Sequence, residues 1–308
     1  MKQIAAPLFR RLSTAGLALG AAMATLAAAG SASAEIQFQF QYQDRDVARM
    51  VTLGGTFNRC ELSGRDLTGA AFTGAVFTNA TLVGANLRGA ELVGSNFSGS
   101  DFSRADLSGA EMVGADFTGA NFSGADLSGA EAVSATLVRV RLAGADLTGA
   151  VLNFANMNGA TLTGADLSGA EMNAATLANV NARSADFSDA EIAMSNMANG
   201  DFRSADFSDA TLNGARLTGG RFGGADFDGA SMNRTDIRGA DLSGARGLTQ
   251  TQVSRACGDA NTRLPGSLST RVCRGVSGVR VVAPRPPAPP APPVPPRSRN
   301  LVVASADR

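Results

Sequence analysis

Residues 105–129 read ADLSG AEMVG ADFTG ANFSG ADLSG, five quintets whose first residue is always Ala and whose third is always Leu, Met or Phe. The same beat extends in both directions. From Phe57 to Leu242 every fifth residue is apolar, giving 38 positions that hold 29 Leu or Phe, five Met, two Ile and two Ala, the last being Ala132 and Ala182. Two residues before each, Ala fills 27 of the 38 positions, and no insertion disturbs the register. A period of five fits neither a helix, which repeats every 3.6 residues, nor a strand, which repeats every two. Gly at about every fifth residue, as at Gly109, Gly114 and Gly119, opposes a helix further, at roughly 1 kcal/mol each relative to Ala. The path that satisfies the pattern turns once per quintet, with the large and the small residue pointing inward and the other three outward.

A second, longer period gives the number of sides. Ala105-Asp106-Leu107, Ala125-Asp126-Leu127, Ala145-Asp146-Leu147 and Ala165-Asp166-Leu167 recur every 20 residues, and Asp186, Asp206 and Asp226 continue the column. Glu91, Glu111, Glu131, Glu171 and Glu191 form another column 20 apart, which Val151 interrupts. Twenty residues are four quintets, so residues on one side recur once per four-sided coil.

The runs ADLSGA, ADFTGA and ANFSGA resemble the pentapeptide-repeat family, whose motif is a small residue, Asp or Asn, Leu or Phe, Ser or Thr, then often Gly. The resemblance implies an all-β fold: a right-handed quadrilateral β-helix with short strands on each face and tight turns at each corner. It makes Leu107, Phe117, Phe122, Leu127 and Leu147 the large interior positions, Ala105 and Ala125 small interior ones, and Asp106 and Asp126 outward ones. Arg65 at a small position, Phe154 and Met194 on the outer surface, and Ala132 and Ala182 at large positions depart from the motif, and local irregularity or a shallow void is expected there. Thirty-eight quintets make 9.5 coils, a rod roughly 45 Å long at ~4.8 Å per coil. Such a rod is filled along its axis and offers no large pocket.

The segments flanking the repeat (55–246) carry different signals. Residues 1–34 read as an export signal: Lys2, Arg10 and Arg11, an apolar run from Leu12 to Ala29, then Ala32-Ser33-Ala34. The adjacent Arg10 and Arg11 also leave a twin-arginine address open. No membrane span is expected once that segment is removed. Residues 35–54 form an expected amino-terminal cap, in which Ile36 to Gln43 alternate apolar residues with Gln as a half-buried strand does, before a short helix from Asp44 to Val51. Residues 247–280 read as a carboxy-terminal cap, with a short helix from Leu248 to Ala256 headed by Thr249. The stretch through Cys257, Gly258 and Asp259 to Leu264-Pro265 resembles the segment that often follows these repeats in bacterial family members. Cys257 and Cys273 have 15 residues between them, and in an oxidising compartment a bridge there contributes roughly 3 kcal/mol on a loop-entropy basis. Cys60 reads as a free core thiol. Nine of the 11 Pro lie in PRPPAPPAPPVPP at 284–296, within a Pro-rich tail (281–308) of polyproline character that reads as disordered.

Composition narrows function by exclusion. The chain has no His, which removes imidazole bases, Ser-His-Asp and Cys-His pairs, and His-ligated metals. No nucleophile constellation or phosphate-binding loop is present, and no catalytic residue, cofactor or metal is expected. Formal charge is zero overall, but residues 56–246 carry 13 Arg against 22 acids and residues 247–308 nine Arg against two. Some family members resemble double-stranded DNA and bind DNA gyrase. DNA carries one charge per ~1.7 Å, roughly 26 over such a rod, against a net of −9 in the coils here. The sequence therefore favours a non-catalytic exported scaffold, periplasmic or secreted, that engages an unknown protein or cell-envelope component without binding nucleic acid directly. A DNA-mimicking topoisomerase binder and a cation-binding envelope protein are the alternatives, and a homodimer is left open. Phe154, Met194, Arg139 and Arg141 are the candidate interaction surface.

Overall fold

The computed structural model describes residues 56–273. The expected export signal, the amino-terminal cap, residues 274–280 and the Pro-rich tail lie outside the described residues. Within them, residues 20 apart pair through parallel bridges, from Thr56 with Val76 to Asp226 with Arg246. Four quintets therefore close one coil, and each coil hydrogen-bonds to the next.

One quintet shows how. The Leu107 N–H donates to the Asp126 carbonyl of the following coil at 2.7 Å, and the Gly109 N–H to the Ser128 carbonyl at 2.9 Å. The Asp126 N–H returns the contact to the Ala105 carbonyl at 3.0 Å. Between them the chain turns a corner: the Ala110 N–H donates to the Leu107 carbonyl at 2.9 Å, with Gly109 at φ 62. That positive φ is the reason the fifth residue of the motif is so often Gly. Two residues of each quintet are spent on the corner, so a side pairs through a single residue. The short strands expected on each face are thus reduced to isolated one-residue bridges.

The axis is solid. Leu107, Phe117, Phe122, Leu127 and Leu147 are buried, as are Ala105 and Ala125 beside them. Phe rings from successive coils stack at about the coil spacing: Phe102 on Phe122 at 4.7 Å and Phe187 on Phe207 at 4.9 Å. Rings from adjacent sides meet edge to face, as Phe117 meets Phe122 at 5.2 Å, an arrangement that adds about 0.5–1.5 kcal/mol per pair beyond area burial. Where a small interior position is polar, its hydroxyl finds a carbonyl: Ser100 donates to Phe77 at 2.6 Å and Thr235 to Leu212 at 2.8 Å.

The departures from the motif do not break the register. Ala132 and Ala182 are buried, and their N–H groups donate to Val151 at 2.7 Å and Asp201 at 2.8 Å like any central residue. Arg65 still accepts from the Asn86 N–H at 2.8 Å. The expected local irregularity is absent from the backbone because the coil is held by main-chain bonds, which do not depend on what fills the axis.

After Arg246 the spacing changes. Asp236 bridges Cys257 and Asp241 bridges Arg263, 21 and 22 residues apart. The added residues accommodate one short helix, α1 (Gln250–Arg255), which Thr249 and Gln252 cap reciprocally. Val253 and Ala256 on α1 and just beyond it are buried against the last coil. Cys257 and Cys273 are joined in a disulfide that closes this cap. Among the described residues no helix is long and apolar enough to cross a membrane.

Candidate interaction surfaces

With the axis filled, chemistry is left to four sides and four corners. The 20-residue bridges assign residues to them. One side carries a ladder of Asp from Asp66 to Asp226, with Asn86 in its second rung. Next to it lies the Glu ladder, Glu91, Glu111, Glu131, Glu171 and Glu191, with Val151 in the gap. The side opposite the Asp ladder is uncharged across four consecutive coils, presenting Thr136, Asn156, Thr176 and Asn196. The fourth mixes signs, with Asp101, Arg141, Asp201, Arg221 and Asp241 in one column.

The Asp ladder is tied to its own turns. Asp106 Oδ1 accepts from the Ser108 N–H at 3.0 Å and from the Ser108 hydroxyl at 2.6 Å. The same pair of bonds recurs at Asp126 with Ser128, Asp166 with Ser168 and Asp206 with Ser208. This side-chain turn explains the motif's order, Asp or Asn followed two residues later by Ser or Thr. It also engages one oxygen of each of these carboxylates within its own quintet. Calcium wants six or more oxygens converging on one point, which a ladder so occupied does not supply.

Elsewhere Arg replaces the hydroxyl. Arg203 forks onto Asp201 and Arg238 onto Asp236, with closest contacts of 2.5 and 2.6 Å. Hydrogen bonding from Arg203, opposed by partial desolvation, holds the Asp201 carboxyl below the ordinary range. The hydroxyl and N–H of Ser243 do the same for Asp241. On the Glu side, Asn153 donates to Glu171 at 2.9 Å and Asn173 to Glu191 at 3.1 Å.

The four singled-out surface residues do not form one patch. Phe154 and Met194 lie 40 residues apart, two full coils, so they occupy the same corner, with Ala174 between them. Arg139 sits on the next corner, across the uncharged side, and Arg141 one position further round on the mixed side. Each quintet moves the chain by a whole side, so nearness along the chain does not by itself put these arginines beside Phe154. Phe154 and Met194 are 64% and 69% exposed, and with Val272 they are the exposed large apolar residues among those described. Both also hold left-handed backbone, φ 62 and 58, at corners where Gly is usual. Fifteen described corners hold a non-Gly residue at positive φ, so what sets Phe154 and Met194 apart is their exposed apolar surface.

The thiols offer little chemistry. Burial pushes the Cys60 thiol up to about 12, which leaves it protonated and unreactive at neutral pH. Asp236, Cys257 and Cys273 make up the one gathering of three potential metal ligands among the described residues. Two of the three are spent on the disulfide and the third is forked by Arg238, so it is not a metal centre as it stands.

The model of the pentapeptide repeats matches in eight copies spanning residues 57–203 and 205–244. The chain belongs to the pentapeptide-repeat family. Its fold is therefore the right-handed quadrilateral β-helix, and the ladders above are the outward positions of that family's motif. Among solved structures it is similar to HetL, a pentapeptide repeat protein involved in heterocyst differentiation regulation from the cyanobacterium Nostoc. The identity is 28% and the TM-score 0.59, over 74% of this chain and 98% of that one. Full-length QnrB1, a plasmid-mediated fluoroquinolone resistance protein, matches at 21% identity and TM-score 0.48, over 67% of this chain and 94% of that one. No curated protein sequence matches.

Sequence reasoning missed two features of these surfaces. The uncharged side was readable at the same 20-residue spacing as the ladders, but Thr and Asn do not draw attention as carboxylates do. The shared corner of Phe154 and Met194 followed from their separation, a whole number of coils.

Proposed function

We propose that this chain is an exported, non-catalytic scaffold that presents its sides and corners to a protein or cell-envelope component. What carries the reading is how the side chains are spent. The central residue of each quintet from Leu62 to Leu242 is buried in the axis, and most of the carboxylates on the Asp side are occupied in holding turns. Along the described coils the interior is filled by side chains, so any pair of acids or nucleophile and base there would have to meet on an outer face. The export signal read in residues 1–34 and a disulfide-closed cap support a destination outside the cytoplasm, periplasmic or secreted. Cell fractionation of the full chain with a carboxy-terminal tag tests this. The expected result is a signal-processed species outside the cytoplasm. An unprocessed cytosolic protein that inhibits gyrase supercoiling would replace this reading with DNA mimicry, and a melting point that rises with calcium would replace it with a cation-binding role.

A further inference from the structure

The corner carrying Phe154, Ala174 and Met194 has a symmetry of its own. Ala174 lies one coil from each, so a large exposed apolar residue stands about 5 Å above a small one and another about 5 Å below it. We infer that this corner is a self-association surface: two copies of the chain pack side by side and antiparallel, with a two-fold axis passing at Ala174. Under that operation Phe154 of each copy meets Met194 of the other, and Ala174 meets Ala174, whose methyl lets the rods approach. An isologous contact of this kind needs residue i to fit j and j to fit i, which a Phe and a Met flanking an Ala satisfy. Thioether against aromatic edge is a favourable pairing, worth about 0.3–1.5 kcal/mol.

The Glu ladder beside the corner supplies an independent argument. A two-fold at the coil of Ala174 sets Glu191 against Val151 of the other copy, Glu131 against Thr211 and Glu111 against Ser231. The gap at Val151 and the end of the ladder at Thr211 thus fall where a carboxylate would face a carboxylate. Only Glu171 meets its own counterpart, at the exposed rim where salt screens it. A parallel pair would instead bring Phe154 against Phe154 and would leave the interruption at Val151 without a use. The two departures in one coil, Val for Glu at 151 and Phe for Gly at 154, then have one explanation. The inference does not depend on where the protein is localised.

The test uses the full chain in a Cys60→Ser background. Phe154→Cys and Met194→Cys variants, oxidised in an equimolar mixture, are expected to yield a 154-to-194 disulfide dimer, while each alone yields little. A Phe154→Gly/Met194→Gly variant, which restores the residue usual at corners, is expected to keep the fold and melting point and to self-associate at least about tenfold more weakly in sedimentation equilibrium. Linkage of 154 to 154 in the single variant, unchanged association of the double Gly variant, or a wild-type chain monomeric up to roughly millimolar concentration would each overturn the inference.

Discussion

The body of the rod and its carboxy-terminal cap solve the same hydrogen-bonding problem by different means. In the body each coil's orphan groups are met by the next coil, main chain to main chain, so side chains are free to vary as long as the axis is filled. At the last coil the cap still supplies some main-chain partners, as Cys257 does for the Ile237 N–H and Arg263 for the Leu242 N–H, and side chains fill the gaps between them. Gln252 reaches back 25 and 22 residues to donate to the Phe227 and Ala230 carbonyls at 2.7 and 3.0 Å. Asp259 accepts from the Gly239 N–H at 2.9 Å, where a coil would have offered a carbonyl. Thr262 donates to the Ile237 carbonyl at 3.0 Å. The body is therefore tolerant of sequence outside its axis, and the cap is specific in its polar residues.

The largest expected effect is in the body's axis. Phe102→Ala removes a ring stacked on Phe122 and edge-on to Phe97 and Phe117, and is expected to cost about 3–5 kcal/mol in denaturant unfolding. A cost below 1 kcal/mol would mean that the axis is not close-packed. In the cap, Gln252→Ala removes the side-chain donor from the Ala230 carbonyl and leaves the Phe227 carbonyl with only its turn bond from the Ala230 N–H, and is expected to cost about 1–3 kcal/mol. Comparable substitution of an outward Asn in the body, Asn156→Ala, is expected to fall within about 0.5 kcal/mol, and equal costs at the two sites would erase the distinction drawn between body and cap.

The smallest effect is on pH. Carboxyls held below their ordinary value occur in both regions: Asp201 and Asp241 in the body, and Asp259 in the cap, where the Gly239 N–H is the main cause. A group whose pKa is lowered by folding contributes stability above its unfolded value, near 4, and loses it as pH falls through the folded value. The melting temperature is expected to stay level from pH 7 to about 5 and to decline only below about 4. A decline centred near pH 6 would point to a group not accounted for here.

The contrast also explains what could be read from the amino-acid sequence. The body is periodic, and a period states its geometry openly: the quintet gives the turn, the 20-residue column gives the sides, and Leu107 or Ala105 needs no further information to be placed inside. Thr249 was readable for a similar reason, since a helix cap is a local pattern. The contacts of Gln252 and Asp259 were not, because a reach across 20 or more residues to one particular carbonyl or N–H leaves no repeat behind. Where Arg139 and Arg141 stand relative to Phe154 follows from angular distance around the coil, one corner and one side further round, which nearness along the chain does not give.

The central claim is that one quintet is one side of a solid square coil, and amide-resolved hydrogen exchange tests it most directly. In the quintet from Leu107 to Glu111, four N–H groups donate to carbonyls, whereas that of Ser108 meets only the Asp106 side chain. The account predicts four slowly exchanging amides and one faster one, repeating every five residues from 77 to 226, where each coil has a neighbour on both sides. Protection that runs unbroken, or that repeats with any other period, would contradict it.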